Sequence, residues 1–244
     1  LSLTPIPELI SERRKELMDL REYPEHRLAG IIREIGFSCT SCAQCCTRAF
    51  NDHVFLLDTD AERILEIDPS ALEPAPYYEF CDRNGIFYVA GYALRAQDDD
   101  AGSCVFLDKG RCRIYPDRPA ICRVYPYMMH READEAGSVD WRQFSGLDLH
   151  GEYHLDIPEE ECIAAARETI AYEEAFLMQE IAFFEYMERY FREKGQKHVQ
   201  KKYDEMLRRY HSGEAVLVMV WHDGGLEPVP ARGTPVVKKS FPSK

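Results

Sequence analysis

Phe37-Ser38-Cys39-Thr40-Ser41-Cys42-Ala43-Gln44-Cys45-Cys46 is the stretch from which the rest of this 244-residue chain is best read. Cys39, Cys42 and Cys45 fall three residues apart. A loop with that C-x-x-C-x-x-C spacing wraps three thiolates around one corner of a compact centre, as iron–sulfur ligand runs do. The fourth ligand has to come from elsewhere. The side chains of adjacent Cys45 and Cys46 diverge, so Cys46 either serves a second site or braces the first.

Working outward, Cys104, Cys112 and Cys122 lie in a Gly- and Pro-punctuated segment ending at Tyr125-Pro126. A turn at Asp108-Lys109-Gly110 would fold Cys104 and Cys112 toward each other across a hairpin. Arg111, Arg113, Arg118 and Arg123 crowd the same segment of an otherwise acidic chain. Guanidinium groups there offset the negative charge of a thiolate-ligated centre. Cys162 sits in the first turn of a long predicted helix, where the helix N-terminus favours a thiolate and Glu159, Glu160 and Glu161 oppose it. Cys81, between Phe80 and Asp82, reads as a packing cysteine.

Metal ligation explains this pattern better than the alternatives. Structural cysteines account for Cys81 or Cys162 singly, but not for two clusters. Nine cysteines cannot all pair internally. A thioredoxin-like dithiol needs a βαβ context that the run lacks. The expected ligands are therefore Cys39, Cys42, Cys45, Cys46, Cys104, Cys112, Cys122 and Cys162, a set of eight that makes one centre or two. Zinc bound by four cysteines usually shows two C-x-x-C knuckles, and the second is missing here. Zinc and iron–sulfur both stay open on spacing alone. None of the histidines has motif spacing; His130, next to the second cluster, is the one singled out for test.

The formal net charge of −13 argues against nucleic acid, whose binding needs a concentrated basic surface. The basic segment from Lys194 to Arg209 reads as a solvated helix face. No apolar run approaches the ~20 residues that span a bilayer. Leu1 to Pro7 shows no signal-peptide pattern, and the cysteine usage fits a cytoplasmic protein.

The predicted fold class is α+β and mainly helical. A small irregular cysteine-rich core with few short strands is joined to a long C-terminal helical segment. Residues 1–36 are expected to form two helices broken at Tyr23-Pro24 and closed by Gly36. Residues 37–157 form the cysteine-cluster region, with strands at His53 to Leu57 and Gly85 to Ala93, a helix from Asp58 or Thr59, and an irregular acidic stretch over 131–151. Residues 158–244 hold a helix from Pro158 to about Lys194, stopped by Gly195, then a second helix, a strand at Val216 to Val220, a turn at Asp223-Gly224-Gly225 and a loose tail. Aromatic residues on more than one face of the long helix suggest contact with a protein partner or a second copy through the C-terminal helices.

C-x-x-C-x-x-C-C followed by C-x-F-L-x-x-G-x-C-x-I-Y-x-x-R-P-x-x-C-R-x-Y-P resembles the YkgJ-type cysteine-cluster family, described as a zinc- or iron-chelating domain. The matching residues run from Cys39 through Cys104, Phe106, Gly110, Cys112, Tyr115, Arg118, Cys122 and Arg123 to Pro126. Two departures stand out. Ala43 occupies a position where members often have Gly, and Cys162 lacks the Cys-Pro-Gly context of the family's later cysteine. Flagellin lysine N-methylase is similar in carrying such a cluster, and that resemblance implies a [4Fe-4S] cluster rather than zinc. The implied functions are an iron–sulfur accessory or electron-transfer protein acting with a larger redox or maturation complex, a structural-zinc adaptor, or a methyltransferase-related enzyme. No independent catalytic motif is visible.

Overall fold

The structure, a computed structural model, describes residues 4–128, 130–133, 139–142 and 149–233. Pro5 and Pro24 each precede a helix, where a missing N–H costs nothing. They lead into α1 (Ile6–Glu22) and α2 (Glu25–Ile35), separated by extended Tyr23. Gly36 ends α2 at φ 53, ψ 44. Further along come α3 (Arg48–Asn51), α4 (Asp58–Ile67), α5 (Ala120–Val124), α6 (Glu159–Lys194) and α7 (Gln200–His211).

The strands are short at first and long only near the end. β1 (Leu72–Pro74) pairs with β4 (Tyr92–Leu94), and β5 (Leu107–Asp108) with β6 (Arg111–Cys112). The main sheet has the order β10-β9-β3-β2, built from β2 (Phe80–Cys81), β3 (Phe87–Ala90), β9 (Ala215–His222) and β10 (Gly225–Arg232). β3 runs parallel to β9 and the other pairs are antiparallel. Side chains alternate between its faces. Phe87, Val89, Val218 and Val220 pack with Met206 of α7, while Phe80, Tyr88 and Trp221 meet Phe183, Phe184, Met187 and Phe191 of α6. Both faces are therefore covered by helices.

At 36 residues, α6 is roughly 54 Å long at 1.5 Å per residue. Its first two-thirds bury Cys162, Ala166, Leu177 and Ile181 against Leu17, Leu20, Leu28 and Ile32 of α1 and α2. Its last third, from Phe183, lies on the sheet. Tyr172 packs against α5 through Ile121 and Val124. The aromatics expected to form a partner-facing stripe are thus largely occupied inside the chain; Met178, at 51% exposure, is its one large apolar residue left open among the described residues.

Three local readings are corrected. Residues 130–142, expected to be irregular, contain β7 (His130–Ala133) paired antiparallel with β8 (Val139–Arg142); an acidic composition masked the alternating Val139 and Trp141. The single strand expected over Gly85 to Ala93 turns at Gly91 and serves two sheets. β10 was not anticipated; as the sheet's edge strand it tolerates Pro228 and Pro230. The expected tail, beyond Gly233, lies outside the described residues.

Glu79, just before β2, illustrates a cost of this packing. Burial, together with the nearby Glu180 carboxylate, pushes its pKa up to about 8, offset only in part by the amides of Glu79 and Ala90. Glu180 is held in turn by Arg13 at 2.8 Å, and the Tyr203 hydroxyl also faces Glu79. A carboxyl raised above its unfolded value makes the folded state bind the extra proton, so its contribution is lost as pH rises from about 4.5 toward 8. The melting temperature of Glu79→Gln relative to the parent should therefore climb across that window and level off above it. A pH-independent difference between the two would refute this.

Candidate metal centre

The first cysteine run is shaped at both ends. Before it, Ser38 exchanges two backbone hydrogen bonds with Glu152, at 2.8 and 3.0 Å. After it, Cys104 N–H donates to Cys46 O at 2.7 Å and Arg48 N–H to Gly102 O at 3.0 Å. These bonds bring the two cysteine clusters side by side. Between the ends the loop coils tightly: Ser41 and Ala43 take φ 57 and 64, and residues Gln44–Cys46 make one 3-10 turn. Ser41 N–H donates to Cys39 Sγ at 3.4 Å, the type of contact that stabilises a thiolate.

The left-handed backbone of Ala43 explains why Gly suits this position. A Cβ there costs roughly 1–2 kcal/mol. Ala43→Gly should raise stability by about 0.5–1 kcal/mol, the remainder being lost to the freer unfolded chain. Equilibrium denaturation measures it, and a destabilised glycine variant would contradict the account.

The second cluster is built from a hairpin and a short helix. Lys109 (φ 48) and Gly110 (φ 76) make the expected turn, but it pairs Leu107, not Cys104, with Cys112. Cys104 reaches the site through its bond to Cys46 instead. Cys122 lies on α5, whose first amide, Ala120 N–H, donates to the buried Asp60 carboxylate at 3.0 Å. Arg63 holds the other Asp60 oxygen at 2.6 Å. Asp60 thereby fixes the position of α5 and its thiol.

Cys39, Cys42, Cys45, Cys46, Cys104, Cys112 and Cys122 all line one cavity of about 610 Å³. Cys39 and Cys42 are exposed at its mouth, and the other five are half-buried. Every pair among Cys46, Cys104, Cys112 and Cys122 is close enough for one thiolate to raise the other's pKa. Burial is the larger cause, and it pushes Cys104 up to about 11. Cys39 and Cys45 are similarly close, and Cys42 and Cys45 both act on Tyr125. The Cys45 thiol donates to Cys46, which lowers Cys46 to about 7 and raises Cys45. Cys46, Cys104, Cys112 and Cys122 thus form a mutually close deep set; the other three, Cys39, Cys42 and Cys45, are the mouth set, and Cys45 is close to both Cys46 and Cys122 of the deep one.

This donor set fits a cationic centre. Crowded, half-buried thiols disfavour their own ionisation, and a metal relieves that repulsion. Among the described residues no three Cys, His, Asp or Glu side chains converge closely enough to hold one ion directly. They ring a void instead, and its volume accommodates a polynuclear group as well as single ions. Arg111, Arg118 and Arg123 line the same cavity, while Arg113 stacks on Phe106 with its guanidinium carbon 5.5 Å from the ring centre.

One expected site cysteine lies elsewhere. Cys162 is 1% exposed among Leu28, Ile32 and Ile35, its Sγ donating weakly to Ile157 O at 3.8 Å, and is not among the residues lining the cavity. Cys81 is fully buried in the main core, as its packing role predicts. His130 belongs to β7, and its side chain lies outside the described residues.

His150, set aside with the other histidines for want of motif spacing, and Tyr125, named only within the family string, were given no role in the site from sequence. Both line the cavity, and the Tyr125 hydroxyl and His150 Nε2 are hydrogen-bonded at 2.8 Å. Burial lowers the His150 pKa, which favours the neutral ring. Tyr125 could be found from the Cys-Arg-x-Tyr-Pro string; His150 has no spacing to mark it.

Residues 38–144 match the CxxCxxCC family, described as "Putative zinc- or iron-chelating domain". No curated protein and no solved structure is significantly similar to the chain.

Proposed function

Starting from a chain that carries a CxxCxxCC metal-chelating domain over residues 38–144, we propose an iron–sulfur protein that serves a larger redox or maturation complex as an accessory or electron-transfer component. The observation that carries this reading is the gathering of seven thiols around one cavity, with three arginines in its wall. Cys46, Cys104, Cys112 and Cys122 would hold one [4Fe-4S] group, and Cys39, Cys42 and Cys45 would hold a second or shared one. Such a group supplies one-electron transfer at a potential set by charge, hydrogen bonds and exposure. The chain's own part is to balance the charge with Arg111, Arg118 and Arg123, and to keep water from the deep thiols with Phe106, Ile121 and Tyr127.

An acidic surface, at net −13, favours a basic partner, and the exposed mouth at Cys39 and Cys42 gives an electron a short route out. Nine cysteines without a disulfide among them fit a reducing compartment such as the cytoplasm. No helix among the described residues is long and apolar enough to cross a membrane.

The deciding experiment is metal and acid-labile sulfide analysis of anaerobically purified protein, with its visible spectrum before and after dithionite. About four iron and four sulfide per cluster, with a brown colour that bleaches, are expected. Stoichiometric zinc without sulfide would replace this reading with that of a structural-zinc adaptor.

A further inference from the structure

We propose that His150 is the fourth ligand of the centre held by Cys39, Cys42 and Cys45, bound through Nδ1 and fixed by Tyr125 at Nε2. This rests on the metal-chelating reading and specifies its mouth site. The deep set has four thiols, whereas the mouth set is one donor short. Cys162, which would have completed the count, does not line the cavity. His150 does; it is 7% exposed, and its Nδ1 has no hydrogen-bond partner. A buried nitrogen left unpaired is unfavourable, and coordination would relieve it.

The fold brings His150 to the mouth set through backbone rather than by chance side-chain packing. Ser38 and Glu152 exchange both their hydrogen bonds, His154 N–H donates to Ile35 O at 2.8 Å, and Leu155 N–H donates to Gly36 O at 3.0 Å. The segment that follows His150 is therefore strapped to the segment that precedes Cys39. Gly151 makes the approach possible: at φ 73, any Cβ there would stand 2.4 Å from Phe37 Cε2. The Phe50 and Phe37 rings wall the imidazole at 4.5 and 5.9 Å between centroids.

The Tyr125 contact has the form expected of an outer partner to a metal-bound histidine. Such a partner selects the tautomer and orients the ring. With the Nδ1 lone pair donated to the metal, Nε2 keeps its proton and donates it to the Tyr125 oxygen. No oxidant or other reactant is needed, because only a dative bond forms.

The test uses full-length protein labelled with ¹⁵N in its histidine rings and purified anaerobically with its own metal. The ring signals that vanish in His150→Ala identify His150. We expect a protonated Nε2, and an Nδ1 displaced from both ordinary imidazole positions, by coordination to zinc or by a temperature-dependent hyperfine shift from iron. Tyr125→Phe should release metal to a chelator ~10–100-fold more readily, and His150→Cys should retain it. An Nδ1 at an ordinary imidazole position in metal-loaded protein overturns the proposal, as does wild-type metal retention in both His150→Ala and Tyr125→Phe. If His150→Ala does not fold, Tyr125→Phe, which loses only a hydroxyl, supplies the comparison. Iron and sulfide assays on the same sample judge the iron–sulfur reading separately. Zinc without sulfide overturns that reading while the Nδ1 shift still decides the role of His150, and protein without any metal overturns both.

Discussion

Cys122→Ser is expected to strip most of the metal from the purified protein and to lower its melting temperature by about 10 °C, at roughly 2–4 °C per kcal/mol for a chain of this size. Cys122 is the thiol most enmeshed in the site. It lies close to Cys46, Cys104 and Cys112, and it also acts on Cys45 of the mouth set. α5 positions it through the Asp60 bond, so a serine there would keep its place and lose only its sulfur. Metal binding free energy is folding free energy in a site that the unfolded chain lacks, so both readouts should fall together. Cys81→Ser is the control. Its thiol is fully buried, donates weakly to Asp82 O at 3.6 Å, and is not among the groups lining the cavity. That variant should lose about 1–3 kcal/mol from burying a hydroxyl and still hold its full complement of metal. Elemental analysis with calorimetry on both proteins is the measurement. Metal loss in Cys81→Ser with retention in Cys122→Ser would reverse the assignment.

The legible parts of this chain were those whose signals are local. Pro24, Gly36, Pro158 and Gly195 mark helix ends because proline and left-handed glycine each satisfy one specific backbone requirement, and the helices end there. The cysteine runs announced a metal site because thiolate spacing within a loop is itself the geometry of ligation. Sequence could not show how the thiols are shared, since the pairing of Cys46 with Cys104 depends on a backbone bond between segments almost sixty residues apart. Cys162 was the natural eighth ligand by count, yet its place on α6 is fixed by apolar packing against α2. His150 was invisible for the opposite reason. Its neighbours in sequence say nothing about chemistry, and the backbone strap of residues 152–155 to residues 35–38 is what brings it toward Cys39. β10 went unread, and its two prolines fit it only because an edge strand tolerates them where an interior strand would not.

That strap also bears the second large effect. Gly36→Ala should destabilise the protein by about 3 kcal/mol or more, and should disturb the metal site without touching a ligand. Gly36 stands at φ 53, where a side chain costs roughly 1–2 kcal/mol by itself. A Cβ there would also lie 2.4 Å from Leu155 O and 2.5 Å from Leu155 N. Both are backbone atoms, so a flexible side chain cannot relieve the clash by swinging away. Moving residue 155 breaks its bond to Gly36 O and strains the Ser38–Glu152 pair next to it. The same strap leads back through Gly151 to His150, so the mouth set should lose its geometry while the deep set of Cys46, Cys104, Cys112 and Cys122 keeps its own. Chelator competition should therefore show one metal fraction released early and another unchanged, alongside the drop in melting temperature. Uniform release of all the metal would mean that the two sets are a single centre, and an unaffected melting temperature would mean that the contact between Gly36 and Leu155 carries no load.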